Sequence, residues 1–177
     1  MRFLILFLSV AFLSCTNKGK TVPSSEEAKK KAEPMMAYNF SAKSISGENI
    51  ELKNYLGRVV LINFWATWCP PCRAEIPSLI KLQEKYKLYL SIVGISVDQE
   101  GEEVLKKFAR DYKLNYPVIM FTEEILKNYG GVSAIPTSFL VNHKGELIGK
   151  IVGYRSFEQF EEIILPYIQR ITNESKD

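Results

Sequence analysis

Polar and apolar positions divide the 177-residue chain into three zones. An apolar run at residues 3–13 gives way to residues 16–34, a stretch of Lys, Glu, Ser, Gly and Pro with too little apolar content to order itself. Beyond it, short apolar segments alternate with amphipathic ones. Residues 38–44 and 50–52 read as the strands of a short hairpin around Ser46-Gly47-Glu48-Asn49, with Asn54-Tyr55-Leu56-Gly57 as a further turn. Val59 to Trp65 is apolar almost without interruption, the pattern of a strand covered on both faces at the centre of a sheet, and residues 88–97 repeat it. Between them, Ile76, Leu79, Ile80 and Leu82 fall at helical spacing and predict a helix over residues 71–86, kinked at Pro77. Asp98 and Gly101 open a helix over residues 102–112, residues 117–121 form a further short strand, and a helix over 122–129 stops at Gly130-Gly131. Residues 138–141 and 146–152 are strands about the turn Asn142-His143-Lys144-Gly145. Ser156-Phe157-Glu158-Gln159 is a capping box for a last helix over 157–170, bent at Pro166. Strands and helices alternating around buried strands predict an α/β fold, a mixed sheet with helices on both faces. No internal repeat is visible.

Composition narrows the function classes. With 46% hydrophobic residues the chain has ample material for one core, and its length suits one domain plus appendages. The balance of 23 basic to 20 acidic residues is weakly basic, without a clustered basic face interleaved with aromatics, which argues against a nucleic-acid partner.

The chemistry concentrates between Leu61 and Pro77, where a strand runs through Trp65 and Trp68 into Cys69-Pro70-Pro71-Cys72 and on into a helix. A cysteine at the first turn of a helix has its thiolate stabilised by free backbone N–H groups and the positive end of the dipole. A second cysteine one turn on can close a small disulfide ring and release what the first has captured. Metal binding is the rival use of the spacing. A closed zinc site needs four ligands, and downstream of Cys15 the chain offers only these two cysteines and His143. A redox pair therefore fits better, with no cofactor beyond a redox-active Cys69-Cys72 disulfide and no metal.

Val-Leu-Ile-Asn-Phe-Trp-Ala-Thr-Trp-Cys-Pro-Pro-Cys-Arg-Ala-Glu-Ile-Pro resembles the TlpA/ResA-like thiol-disulfide oxidoreductases of bacterial envelopes, within the thioredoxin superfamily, and the resemblance extends over residues 38–171. It implies a thioredoxin fold with an added N-terminal β-hairpin and a central strand-helix insertion within residues 88–121. It also implies site residues: Cys69 as the attacking thiolate, Cys72 as the resolving thiol, and Pro136 as a cis-proline packed against the Cys-x-x-Cys turn. Pro136 and Ile135 would then offer an open backbone edge beside Cys69 to an extended substrate segment; the plain alternative is a trans proline starting a strand. Asn63 stands where thioredoxins bury an aspartate and cannot titrate. Glu75 matches the glutamate that the family places beneath the site, able to take a proton from Cys72 if burial raises its pKa. Its alternative is a solvated first-turn residue that complements the helix dipole.

Several neighbours refine this picture. Pro70 and Pro71 supply no N–H, so the Cys69 thiolate should be only moderately stabilised and the pair poised toward reduction. Trp68 covers an apolar patch that meets partner proteins, with Pro70 and Ile135 beside it, whereas Trp65 could equally belong to the core. His143 reads as solvent-facing in its turn, and Met35, Met36 and Met120 as packing residues rather than metal ligands.

At the start, Arg2, the apolar run and Ser14 before Cys15 resemble a bacterial lipoprotein signal, in which the cysteine becomes the lipidated first residue. Phe12 replaces the usual Leu three positions earlier, which leaves ordinary cleavage or an uncleaved anchor open. The expected organisation is residues 1–14 signal peptide, 15–34 lipid-anchored tether and 35–177 thioredoxin-like domain. The run Lys29-Lys30-Lys31 reads as solvated linker rather than lipid contact.

Together these features predict a protein of the bacterial envelope, periplasm-facing and lipid-anchored, that reduces disulfides in envelope proteins, as in cytochrome c maturation. The resemblance implies recharging by a membrane electron donor of the DsbD or CcdA type. A thiol oxidase or isomerase remains an alternative, as does a copper chaperone of the Sco type, although that class separates its cysteines by three residues and adds a histidine. Cys69 lacks the Pro-x-x-x-Thr-x-x-Cys setting of a peroxiredoxin.

Overall fold

The structure is a computed structural model that describes residues 33–174. The expected signal at residues 1–14, Cys15 and Lys29-Lys30-Lys31 lie outside the described residues. The chain divides into two units, Met1–Glu33 and Pro34–Asp177, and every element below belongs to the second. Among the described residues no helix is long and apolar enough to cross a membrane.

The centre is β3 (Val59–Trp65), buried at all seven positions as a strand between two helical layers must be. On one side β3 pairs in parallel with β4 (Leu90–Ser96), which pairs in parallel with β5 (Val118–Met120). On the other it pairs antiparallel with β6 (Thr137–Val141), followed by antiparallel β7 (Leu147–Val152). The order is β5-β4-β3-β6-β7, the mixed sheet expected from the alternation of strands and helices.

The two-residue period of a strand then sorts the core. Val59, Leu61 and Trp65 face a layer built by α1 (Pro70–Lys85), α2 (Glu102–Tyr112) and α4 (Phe157–Glu174). Val60, Ile62 and Phe64 face α3 (Glu123–Asn128) and the N-terminal segment. Asn63 has the parity of the first set, so the one polar residue of β3 points into the α1 layer. Helix α2 and strand β5 form the central insertion, and Phe108 of α2 packs 5.2 Å from the Trp65 ring centroid.

The N-terminal hairpin, β1 (Ser41–Lys43) with β2 (Asn49–Glu51), is shorter than expected over residues 38–44. The chain leaves its hairpin partner to cover a sheet edge: Ser44 bridges to Ile119 and the Ile45 N–H donates to Val118 O (2.9 Å). Leu52, read as strand, instead starts a 3-10 helix, Leu52–Tyr55, which takes up the first half of the expected turn at 54–57 and leads into a turn at Leu56 and Gly57. β4 begins at Leu90 rather than 88, because the N–H groups of Tyr89 and Leu90 close the end of α1 on Tyr86 O. Gly101, at φ +94°, caps α2, while Asp98 does not open that helix at all. Helix α4 runs on to Glu174, past the expected end at 170.

Candidate active site

Cys69 is the N-cap of α1, in an extended conformation that turns the end of the β3 loop into the helix. Pro70 and Pro71 occupy the first two helical positions, where a missing N–H costs no helix bond. The first N–H the helix can offer is therefore that of Cys72, and it donates to Cys69 Sγ at 3.3 Å. The two sulfurs form a disulfide, so the structure is that of the oxidised protein. Both cysteines are buried among apolar side chains, while Trp68 beside them stays 59% exposed.

Across from the pair, the Ile135–Pro136 peptide is cis and the Ile135 carbonyl oxygen lies 3.9 Å from Cys69 Sγ. Pro136 is buried and Ile135 half-buried. The Gly153 N–H donates to Pro136 O at 2.8 Å, tying this loop to the end of β7 and bringing the exposed Tyr154 onto the same end of the sheet. An exposed Trp68 next to a disulfide and a loop carbonyl makes a surface against which another chain can be laid.

Beneath the cysteines lies Glu75, three residues after Cys72 on the same helical face and 1% exposed. Its Oε1 accepts from Asn63 Nδ2 (3.0 Å) and its Oε2 from the Arg155 main-chain N–H (2.8 Å). Burial pushes its pKa from an ordinary 4.5 up to about 7, against the two hydrogen bonds and the Arg155 charge, which favour the carboxylate. This excludes the solvated first-turn alternative. A carboxyl group poised near neutrality one turn below a cysteine can exchange protons with that thiol as it forms and breaks a disulfide.

Two features escaped the sequence reading. Asp98, fully buried, accepts from the Thr67 N–H (3.0 Å to Oδ2), Thr67 Oγ1 (2.6 Å) and Ser96 Oγ (2.6 Å), which pins the loop immediately before Trp68 and Cys69. A lone acidic residue at a strand end was the only signal, and its partner thirty-one positions away was not visible. The second is the Ser138 hydroxyl, which accepts the other Asn63 amide proton at 3.0 Å.

Other residues stand away from the site. Trp65 is core, 2% exposed. His143 lies at the far end of β3 and is half-buried against Glu174, Nε2 to Oε2 at 3.0 Å, rather than solvent-facing. Seven strand residues separate that end from the cysteines, about 20 Å, so the structure does not bring histidine and cysteines together. Met35 and Met36 are not packed: both are exposed, along an apolar cleft with Tyr129 and Phe139 on the α3 side. Among the described residues no group of three or more His, Cys, Asp or Glu could hold a metal ion.

Residues 35–150 match the AhpC/TSA family. The chain is 40% identical over 138 residues to the thiol-disulfide oxidoreductase ResA of Bacillus thuringiensis subsp. konkukian, covering 77% of this chain and 76% of that one. It is 31% identical to the sporulation thiol-disulfide oxidoreductase A of Bacillus subtilis, covering 79% and 86%. Among solved structures it is similar to a thiol:disulfide interchange protein of the thioredoxin family from Chlorobium tepidum, with a TM-score of 0.73, 34% identity and coverage of 77% and 98%.

Proposed function

The chain belongs to the AhpC/TSA family as a ResA-like thiol-disulfide oxidoreductase of the thioredoxin superfamily, and from that premise we propose that it reduces disulfides in exported proteins from a lipid anchor on the bacterial envelope. The observation that carries the reading is the Cys69-Cys72 disulfide at the N-terminus of α1, with a buried carboxyl one turn below and the Ile135 carbonyl alongside.

In the reduced protein, the Cys69 thiolate attacks one sulfur of a substrate disulfide, forming a mixed disulfide and expelling the first substrate thiolate, which takes a proton. Cys72 passes its proton to Glu75 and attacks Cys69 Sγ. The second substrate thiolate leaves, and the Cys69-Cys72 disulfide closes. Glu75 hands the Cys72 proton to the second substrate thiolate, the first having taken its proton from solvent, so two electrons have passed from the cysteine pair to the substrate, and a membrane electron donor of the DsbD or CcdA type returns the pair to the dithiol. Ile135 and Pro136 align the substrate backbone, and Trp68 and Pro70 meet its side chains. Cytochrome c maturation factors are the substrate class that the resemblance to TlpA/ResA-like oxidoreductases implies. Residues 1–14 act as the export signal, Cys15 carries the lipid, and 15–34 serve as the tether to the domain at 35–177.

A Cys72→Ser variant tests the catalytic assignment, because it can capture substrate on Cys69 and not release it. Reductant-sensitive adducts in Cys72→Ser that vanish in Cys69→Ser/Cys72→Ser support it; no adduct in either overturns it. Loss of metabolic fatty-acid labelling in Cys15→Ser tests the anchor separately.

A further inference from the structure

Asn63 and Ser138 stand directly opposite one another in the β3–β6 register, both 2% exposed, on the face of the sheet that α1 covers. A primary amide has two N–H bonds diverging from one nitrogen. Ser138 Oγ accepts one at 3.0 Å, so the other must point along the second arm of the fork, where Glu75 Oε1 accepts it, also at 3.0 Å. Both acceptors thus meet the nitrogen end of the amide, and the hydroxyl helps to hold that end toward the carboxyl group. On the other flank the register neighbour is Gly94, which has no side chain to compete, and the Trp65 indole fills the space a Cβ would need. Glu75 Oε2 is meanwhile held by the Arg155 main-chain N–H from the loop after β7.

Resting on the reading of Glu75 as the proton acceptor, we propose that Asn63, oriented by Ser138, is the positioning residue that fixes the Glu75 carboxyl group and sets its proton affinity. With a donor on each oxygen, the group cannot rotate without breaking a buried bond. An amide suits this position because it cannot add a charge. An aspartate here would put a second carboxylate within hydrogen-bond distance of the first, and the two could not both ionise. An apolar residue would leave Oε1 buried without a partner. The other charged group that acts on Glu75 is Arg155, whose guanidinium favours its charged form; the Tyr116 phenol is itself pushed up by burial and by the Glu75 charge, and Cys72 lies on the same helix as Glu75. Asn63 is the one neutral side chain among them that bonds the carboxylate, so its loss should move the titration upward.

The test is a carboxyl ¹³C NMR titration of the full chain with labelled glutamate, the Glu75 resonance being assigned by its absence in Glu75→Gln. Asn63→Leu should raise the Glu75 inflection by about one pH unit, the worth of one hydrogen bond to a charged group. Ser138→Ala should raise it by less, since the amide stays but is free to turn. In parallel, the reduced protein is mixed with 5,5′-dithiobis(2-nitrobenzoate), and the second thionitrobenzoate release, which reports attack by Cys72, should follow the same alkaline displacement. Inflections unmoved in both variants, with cooperative melting retained, overturn the proposal; if Asn63→Leu does not fold, Ser138→Ala decides it. A second-release profile unchanged in Glu75→Gln overturns instead the proton-acceptor reading, while the NMR titration judges Asn63 on its own.

Discussion

Glu75 and Arg155, eighty positions apart, meet through one bond, in which the main-chain N–H of Arg155 donates to Glu75 Oε2 at 2.8 Å. Helix α1 and the loop after β7 are thereby joined at a buried acidic side chain below the cysteines, and the bond is main-chain, so any residue at 155 except proline can make it. The carboxyl group is held in place, yet burial keeps its affinity for a proton high.

Stability should therefore depend on pH in a defined direction. Folded Glu75 keeps its proton up to about pH 7, whereas the unfolded chain loses it near 4.5. Between those values the folded state binds the extra proton, so stability falls as pH rises through the window and is flat above it. Glu75→Gln removes this dependence. Relative to the parent, the variant should gain up to roughly 3 kcal/mol between pH 4.5 and 8, at about 1.4 kcal/mol per pH unit. Urea melts at pH 4.5 and 8 measure it, and parallel behaviour of the two proteins would sink the idea.

Proline at the second helical position withholds an N–H from Cys69 Sγ, leaving that of Cys72 as the first donor. Pro71→Ala restores it. The Cys69 thiol pKa is expected to drop by about half a unit and the potential to become less negative by on the order of 15 mV. The parent pair should equilibrate near or below about −250 mV in thiol-disulfide buffers, and a value near −120 mV would mark an oxidant.

Asp98 gathers the Thr67 N–H, the Thr67 hydroxyl and the Ser96 hydroxyl behind the active-site loop. Asp98→Ala should cost about 3 kcal/mol by leaving buried donors without an acceptor. Denaturant midpoints give the loss directly, and a change under 1 kcal/mol contradicts the role.

Gly94 lies under the Trp65 indole at the centre of the sheet. A Cβ there would stand 3.0 Å from Trp65 Nε1 and 3.3 Å from Tyr116 Cε2. Gly94→Ala is expected to destabilise by about 1–3 kcal/mol through overpacking and to shift tryptophan emission. Unchanged emission with parental stability would show that the indole has room to move.

The sequence determined whatever depends on neighbours along the chain. A run of buried residues marked β3, helical spacing marked α1, and Ser156 with Gln159 formed the expected capping box. The cysteine spacing and its place before a helix sufficed to identify the redox pair, since a thiolate at a helix N-terminus is a local matter. Tertiary structure decided what depends on contacts between distant segments. Whether Glu75 was solvated or buried turned on Asn63, Ser138 and Arg155 arriving from three other segments. Asp98 looked like a helix opener because Thr67, its true partner, is reached only when β3 and β4 lie side by side. Met35 and Met36 looked like packing residues, but whether an apolar side chain is covered depends on which distant segments reach it, and among the described residues both line a cleft with Tyr129 and Phe139 and stay exposed. Hydrophobic pattern and helix geometry are properties of adjacent residues; desolvation and the partners of a buried polar group exist only once the layers have closed.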